Sequence, residues 1–169
     1  MSGKLEYFHK EILIIGKHSR LVDNMWEQNQ IQKSYFKRIV DLYTIAPVIG
    51  LRTKRVAQID TQEEGKRTVP VQQMLGKIED LNLIMRTVLL LDETSGLTKE
   101  QRIDRAFREP TNKEEFDANM ELFNLYVRGG IEVLHELLVQ RALSMDDEFT
   151  DVRIGNIIAL FDNPLVPEV

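Results

Sequence analysis

Residues Val88–Leu97 read VLLLDETSGL, and the identity of this stretch decides the fold. Four apolar residues run into Asp92-Glu93. A Walker B strand of a P-loop ATPase ends that way, with its Asp holding Mg²⁺ through water and its Glu orienting the attacking water. The alternative is the last turn of a buried helix. A Walker B carboxylate works only opposite a phosphate cradle, the G-x-x-x-x-G-K-[ST] loop between a strand and a helix. Gly65-Lys66-Arg67-Thr68 has Asp60 at the first glycine position and Arg67 where the hydroxyl residue belongs, and Gly76-Lys77 lies inside an apolar helical pattern. Neither can cradle a phosphate.

Upstream of the stretch, Val71, Met74, Leu75, Ile78, Leu81, Ile84, Met85, Val88 and Leu89 recur every three or four residues. That period predicts a helix from Pro70 to Asp92, with proline in its first turn and Leu89 to Leu91 buried on more than one side. Downstream, Thr98 with Gln101 forms a capping box for a short helix ending near Arg108, which turns Ile103, Ala106 and Phe107 inward.

The next segment carries the strongest helical signal. From Phe116, the residues Met120, Phe123, Val127, Ile131, Leu134 and Leu138 keep one face in phase, and Thr111 with Glu114 supplies a capping box. One helix from Asn112 to Leu143 follows, running through Gly129-Gly130. There the missing side chains let a neighbouring backbone come close, at about 1 kcal/mol each in helix propensity. The competing reading is a break at the glycine pair, because adjacent glycines are a loop signal. An RNA-binding RGG tract needs repeats, and Arg128-Gly129-Gly130 occurs once, inside an apolar pattern.

Working back toward the N-terminus, Val22, Met25, Trp26, Phe36, Ile39, Val40 and Tyr43 predict a helix from Ser19 to Ala46, ended by Pro47 and Gly50, although its middle, EQNQIQK, is polar almost all round. Residues 50–69 read as a basic connection carrying Arg52, Lys54, Arg55, Lys66 and Arg67. No strand is required. Ile12 to Ile15 would fit a short strand, but Leu5, Phe8, Ile12 and Ile15 fit a helix equally well. A last helix, Asp151 to Phe161, would bury Ile154, Ile157, Ile158 and Phe161 before a tail over 163–169. The expectation is an all-α, single-domain bundle of five or six helices, with its core made by Ser19 to Ala46, Pro70 to Asp92 and Asn112 to Leu143.

Composition narrows the function classes. With 169 residues, 43% hydrophobic, 29% charged and a formal net charge of −5, the chain is neither disordered nor a general nucleic-acid coat, so any basic surface is local. The absence of cysteine excludes disulfides, thiolate metal sites and cysteine nucleophiles. The apolar run near the N-terminus is too short for a signal h-region or a membrane span, and a cytoplasmic protein without membrane contact is expected.

Two constellations could carry chemistry. Glu6-x-x-His9 and Glu132-x-x-His135 both have the spacing that di-iron carboxylate bundles use, with Glu27 and Glu79 as nominal partners. The order is awkward, because one pair lies almost at the N-terminus; the plainer reading is exposed helix flanks. The basic residues Arg52, Lys54, Arg55, Lys66 and Arg67, with Arg38, could contact a phosphate backbone, dock an acidic partner or simply solubilise a loop. No aromatic side chain lies between Gly50 and Val69, so stacking on bases gets no support. No cofactor is called for.

Two segments, YFKRIVDLYTIAPVIGLRTKR (Tyr35 to Arg55) and LFNLYVRGGIEVLHELL (Leu122 to Leu138), occur together. The pairing resembles small helical proteins encoded beside bacterial Dnd DNA-phosphorothioation and related restriction clusters, whose second segment reads closer to EYAxGGL. The resemblance implies a non-enzymatic accessory role in a DNA-modification or defence system, with protein partners from the same gene cluster and no catalytic residues to carry over. Tyr126, Gly129, Gly130 and Glu132 match the pattern and are expected to pack closely or face a partner. Arg52, Lys54 and Arg55 match its basic turn, which makes DNA the alternative partner.

Overall fold

A computed structural model describes residues 3–26, 34–140 and Ile157. The chain is mostly helical. Among the described residues the elements run β1 (Ile12–Ile15), α1 (Lys17–Met25), α2 (Ile39–Arg52), β2 (Lys66–Val69), α3 (Val71–Leu75), α4 (Ile78–Leu91), α5 (Lys99–Phe107) and α6 (Lys113–Leu138). The helix expected at Asp151 to Phe161 lies outside them except for Ile157, which is helical.

The deciding stretch is helical. Val88 to Leu91 are the last turn of α4, and Asp92 is its C-terminal cap, donating its backbone N–H to Val88 O at 2.9 Å. Helix α6 is continuous through Gly129-Gly130. Its packing on α2 and on the chain just beyond that helix explains why both positions lack a side chain. A Cβ on Gly130 would overlap the carbonyl oxygen of Ala46, one on Gly129 would overlap that of Arg55, and one on Gly50 would overlap that of Tyr126. The two helices therefore touch backbone to backbone, closer than ordinary side-chain packing permits.

Five expectations need correction. The fold is not purely α: β1 pairs antiparallel with β2, in the register Ile12↔Val69 to Ile15↔Lys66. The partner strand, Lys66–Val69, lies in the basic connection, where only Val69 is buried, so its own pattern does not announce a strand. The helix expected over Ser19 to Ala46 is two helices: α1 ends at Met25, Trp26 is extended, and α2 begins at Ile39. Met25 O instead accepts hydrogen bonds from the amides of Tyr35 and Phe36, at 2.9 and 3.2 Å.

Pro47 does not end α2 but sits inside it, and the helix runs on to Arg52. The helix expected from Pro70 is divided at Gly76-Lys77 into α3 and α4. The start of α6 shifts by one residue: Asn112, not Thr111, is the cap and accepts from the Glu115 amide at 2.8 Å. The Thr98–Gln101 capping box is present in both directions.

The core gathers buried side chains from α1, α2, α4 and α6 around an aromatic cluster. Phe8 meets Phe123 edge-on at 5.0 Å between centroids, and Tyr43 lies 5.7 Å from Phe123. Phe8 reaches that position through a left-handed backbone turn just before β1. No helix among the described residues is long and apolar enough to cross a membrane.

Candidate functional site

Asp92 is fully buried. Its carboxylate accepts hydrogen bonds from the Thr94 amide at 3.1 Å, the Thr94 hydroxyl at 2.6 Å, the Ser95 amide at 3.2 Å, the Ser95 hydroxyl and the Tyr126 phenol at 2.8 Å. Burial opposes its charge, but the hydrogen bonds from Ser95, Thr94 and Tyr126 outweigh burial and hold the carboxyl at about 2. The Arg105 guanidinium approaches to 3.5 Å. With its oxygens directed at these internal donors, this carboxylate closes the α4 turn and anchors Tyr126 of α6.

The two E-x-x-H pairs do not come together. Glu6 and His9 pair with each other at 3.0 Å on the surface. Glu132 accepts instead from His18 Nε2 at 3.0 Å, Lys17 Nζ at 2.9 Å and Arg55 at 3.2 Å, while His135 Nε2 lies 2.9 Å from the Asn24 amide nitrogen. Among the described residues no three metal-ligating groups form a cluster. Glu27 lies outside the described residues and Glu79 is exposed on α4.

Glu132 is the centre of a polar junction that joins α1, the segment after α2 and α6. Burial works against its charge, but the Lys17 and His18 hydrogen bonds prevail and lower its pKa. His18 is fully buried; burial lowers its pKa against the opposing pull of Glu132, so it is a neutral imidazole donating from Nε2, with Nδ1 left without a partner. His18 went unnoticed in the sequence because its partner is 114 residues away. Its one local signal is its place, two residues after Gly16, in the first turn of α1.

The basic residues are divided between ion pairs and solvent. Arg55 binds Glu132 and Glu136, and Arg67 binds Asp23 with two bonds of 2.6 Å. Lys54 lies 3.6 Å from Glu93, whereas Arg52 and Lys66 are exposed and make no ion pair among the described residues. Arg38, the residue that precedes α2, pairs with Asp41 in the first turn of that helix. Within Leu122 to Leu138, Tyr126, Gly129 and Gly130 are buried against α2 and the chain beyond it, and Glu132 belongs to the junction.

The surface that departs most from expectation lies at the ends of α4 and α5. Leu91 is 53% exposed, and of the three α5 residues expected inside, only Ala106 is buried, at 4%, while Ile103 is 41% and Phe107 69% exposed. Ile103 and Phe107 stand one turn apart on the same face and, with Leu90, Leu91, Lys99 and Arg102, line a recess between the two helices. A second recess adjoins it through Leu91 and Glu93 and continues to Val48, Leu51, Arg52 and Lys54 at the end of α2. The result is an apolar groove bordered by four cations, Arg52, Lys54, Lys99 and Arg102, and one carboxylate, Glu93, on a chain of net charge −5. Such a contiguous apolar surface with a polar rim is characteristic of interaction sites. No family model, curated protein or solved structure matches the chain.

Proposed function

We propose that the protein is a non-catalytic interaction module that docks a protein partner on the groove formed by α2, α4 and α5. The resemblance of Tyr35 to Arg55 and Leu122 to Leu138 to proteins of Dnd-type clusters assigns it an accessory role in a bacterial DNA-modification or restriction system, in the cytoplasm, with a partner encoded in the same cluster. One observation carries the docking part: Leu91, Ile103 and Phe107 are apolar at helical core spacing yet stand outside the core. Apolar side chains left at the surface in one patch are stabilised when a partner removes them from water, by about 25 cal/mol for each Å² of apolar area buried.

Two alternative functions have less support. A phosphate-backbone contact through Arg52, Lys54, Arg55, Lys66 and Arg67 requires those cations to act together, but Arg55 and Arg67 are held by carboxylates. A di-metal site requires Glu132 and His135 to converge with Glu6 and His9, but Glu6 and His9 pair with each other at the surface while Lys17 holds Glu132 and Asn24 lies against His135.

The test is quantitative co-purification of the tagged full chain from cells expressing the neighbouring genes. Phe107→Asp and Leu91→Asp should lose the bound partner at least about ten-fold while remaining folded. Undiminished capture by both variants would remove the groove from the interface. Duplex binding that falls steeply with added salt, and with Arg52→Ala and Lys54→Ala, would favour the nucleic-acid reading instead.

A further inference from the structure

We infer that the occupant of this groove is an amphipathic helix with acidic flanks, a conclusion that rests on the docking role proposed above. The lining decides the shape of the ligand. Leu90, Leu91, Ile103 and Phe107 project from helices, so the groove presents side chains and offers no row of free backbone donors and acceptors to pair with an added strand. A row of apolar anchors at i, i+3/i+4 and i+7 fits the trough between two helices, the usual arrangement when a helix lies in a groove.

The rim decides the charge of that helix. Arg52 and Lys54 border one end, Lys99 and Arg102 the other, and the only carboxylate among the lining residues, Glu93, is shared by the two recesses. An excess of positive charge around an apolar trough attracts carboxylates flanking an apolar row and repels a lysine-rich helix of the same shape. A nucleic-acid backbone would meet the cations but would leave the apolar floor wet, so it uses only half of the surface. The chain's overall negative charge concentrates this preference at the groove, because acidic segments are repelled elsewhere.

The experiment uses the ¹⁵N-labelled full chain and three designed peptides of about five helical turns. One has a leucine row flanked by glutamates, one the same row flanked by lysines, and one the glutamates with the row changed to serine. The glutamate–leucine peptide should shift the signals of Leu91, Ile103 and Phe107, and the other two should bind at least about ten-fold more weakly. The double variant Arg52→Glu, Lys99→Glu should erase or reverse the preference for glutamate, and Phe107→Asp should weaken binding of the glutamate–leucine peptide. Equal affinity for the two charged peptides, or no shift with either, would overturn the inference. So would groove signals that move with protein concentration alone, which would point to a second copy of the chain, or groove shifts produced by duplex DNA and by neither peptide. If the peptides fail while Phe107→Asp still releases the cellular partner, the docking role stands and only the acidic helix falls. If both fail, both fall.

Discussion

Tyr126 donates its phenolic hydrogen bond to Asp92 at 2.8 Å, fastening the middle of α6 to the turn that ends α4. The contact is reciprocal in its electrostatics: it helps hold the Asp92 carboxyl low, while burial and the Asp92 charge push the tyrosine's pKa up. The same aspartate receives four bonds from Thr94 and Ser95, so one side chain organises both the helix end and its neighbour.

Asp92→Asn should therefore destabilise the fold by about 2 kcal/mol at neutral pH, the worth of a carboxyl held at about 2 against an ordinary 3.8. Because the folded value is depressed, this stabilisation is complete above pH 3.8 and is lost as pH falls from there toward 2. Urea unfolding of wild type and variant from pH 7 to pH 2 checks both statements; curves that stay equally far apart across the whole range would contradict the linkage.

His18 predicts a second, separate pH dependence. Its folded pKa is lowered by burial, with the hydrogen bond and charge of Glu132 opposing and Lys17 and Arg128 assisting. The unfolded chain, with an ordinary value of 6.5, therefore binds the proton first. Stability is unaffected above that pH and declines as pH drops below it, until the folded imidazole also protonates. His135, whose pKa burial also lowers, acts in the same direction. The unfolding midpoint should thus fall between pH 7 and pH 5, and His18→Gln should reduce that slope without removing it.

The close crossing of α2 and α6 makes Gly130→Ala severe. The added methyl would meet the Ala46 carbonyl, which is backbone and cannot turn aside, so a loss of about 3 kcal/mol or failure to fold is expected. Gly3→Ala meets nothing within 4 Å and should leave the thermal midpoint unchanged. A Gly130→Ala protein as stable as wild type would show that the two helices can separate freely.

At the groove, stability and binding should part company. Phe107→Ser and Leu91→Ser replace exposed apolar side chains, so unfolding free energies should stay within about 0.5 kcal/mol of wild type. Calorimetry that finds either variant much less stable would place these residues in the fold's support rather than at a partner's surface.

The α6 helix was legible from sequence because its apolar phase survives the glycine pair, and α5's start because Thr98 and Gln101 lie within one turn. The pairing of Ile12–Ile15 with Lys66–Val69 was not, since a strand in a short polar segment is specified by its distant partner. The exposure of Ile103 and Phe107 escaped for another reason: on a nine-residue helix, residues flanking the buried Ala106 lie within reach of the same face, and only tertiary packing says which are covered. At Glu132 the helical spacing points to His135, but the partners that arrive are Lys17, His18 and Arg55. Spacing reports what a helix could present, not which distant side chain arrives.

The pairing of α1 with α6 also sets an order of events during synthesis. His18 meets Glu132, and Asn24 meets His135, across more than a hundred residues of chain. As the polypeptide leaves the ribosome, the apolar face of α1 must wait for nearly all of the bundle to emerge before its covering helix exists. A nascent chain stalled before Glu132 would hold that first helix unprotected, the moment at which a chaperone would have most to shield.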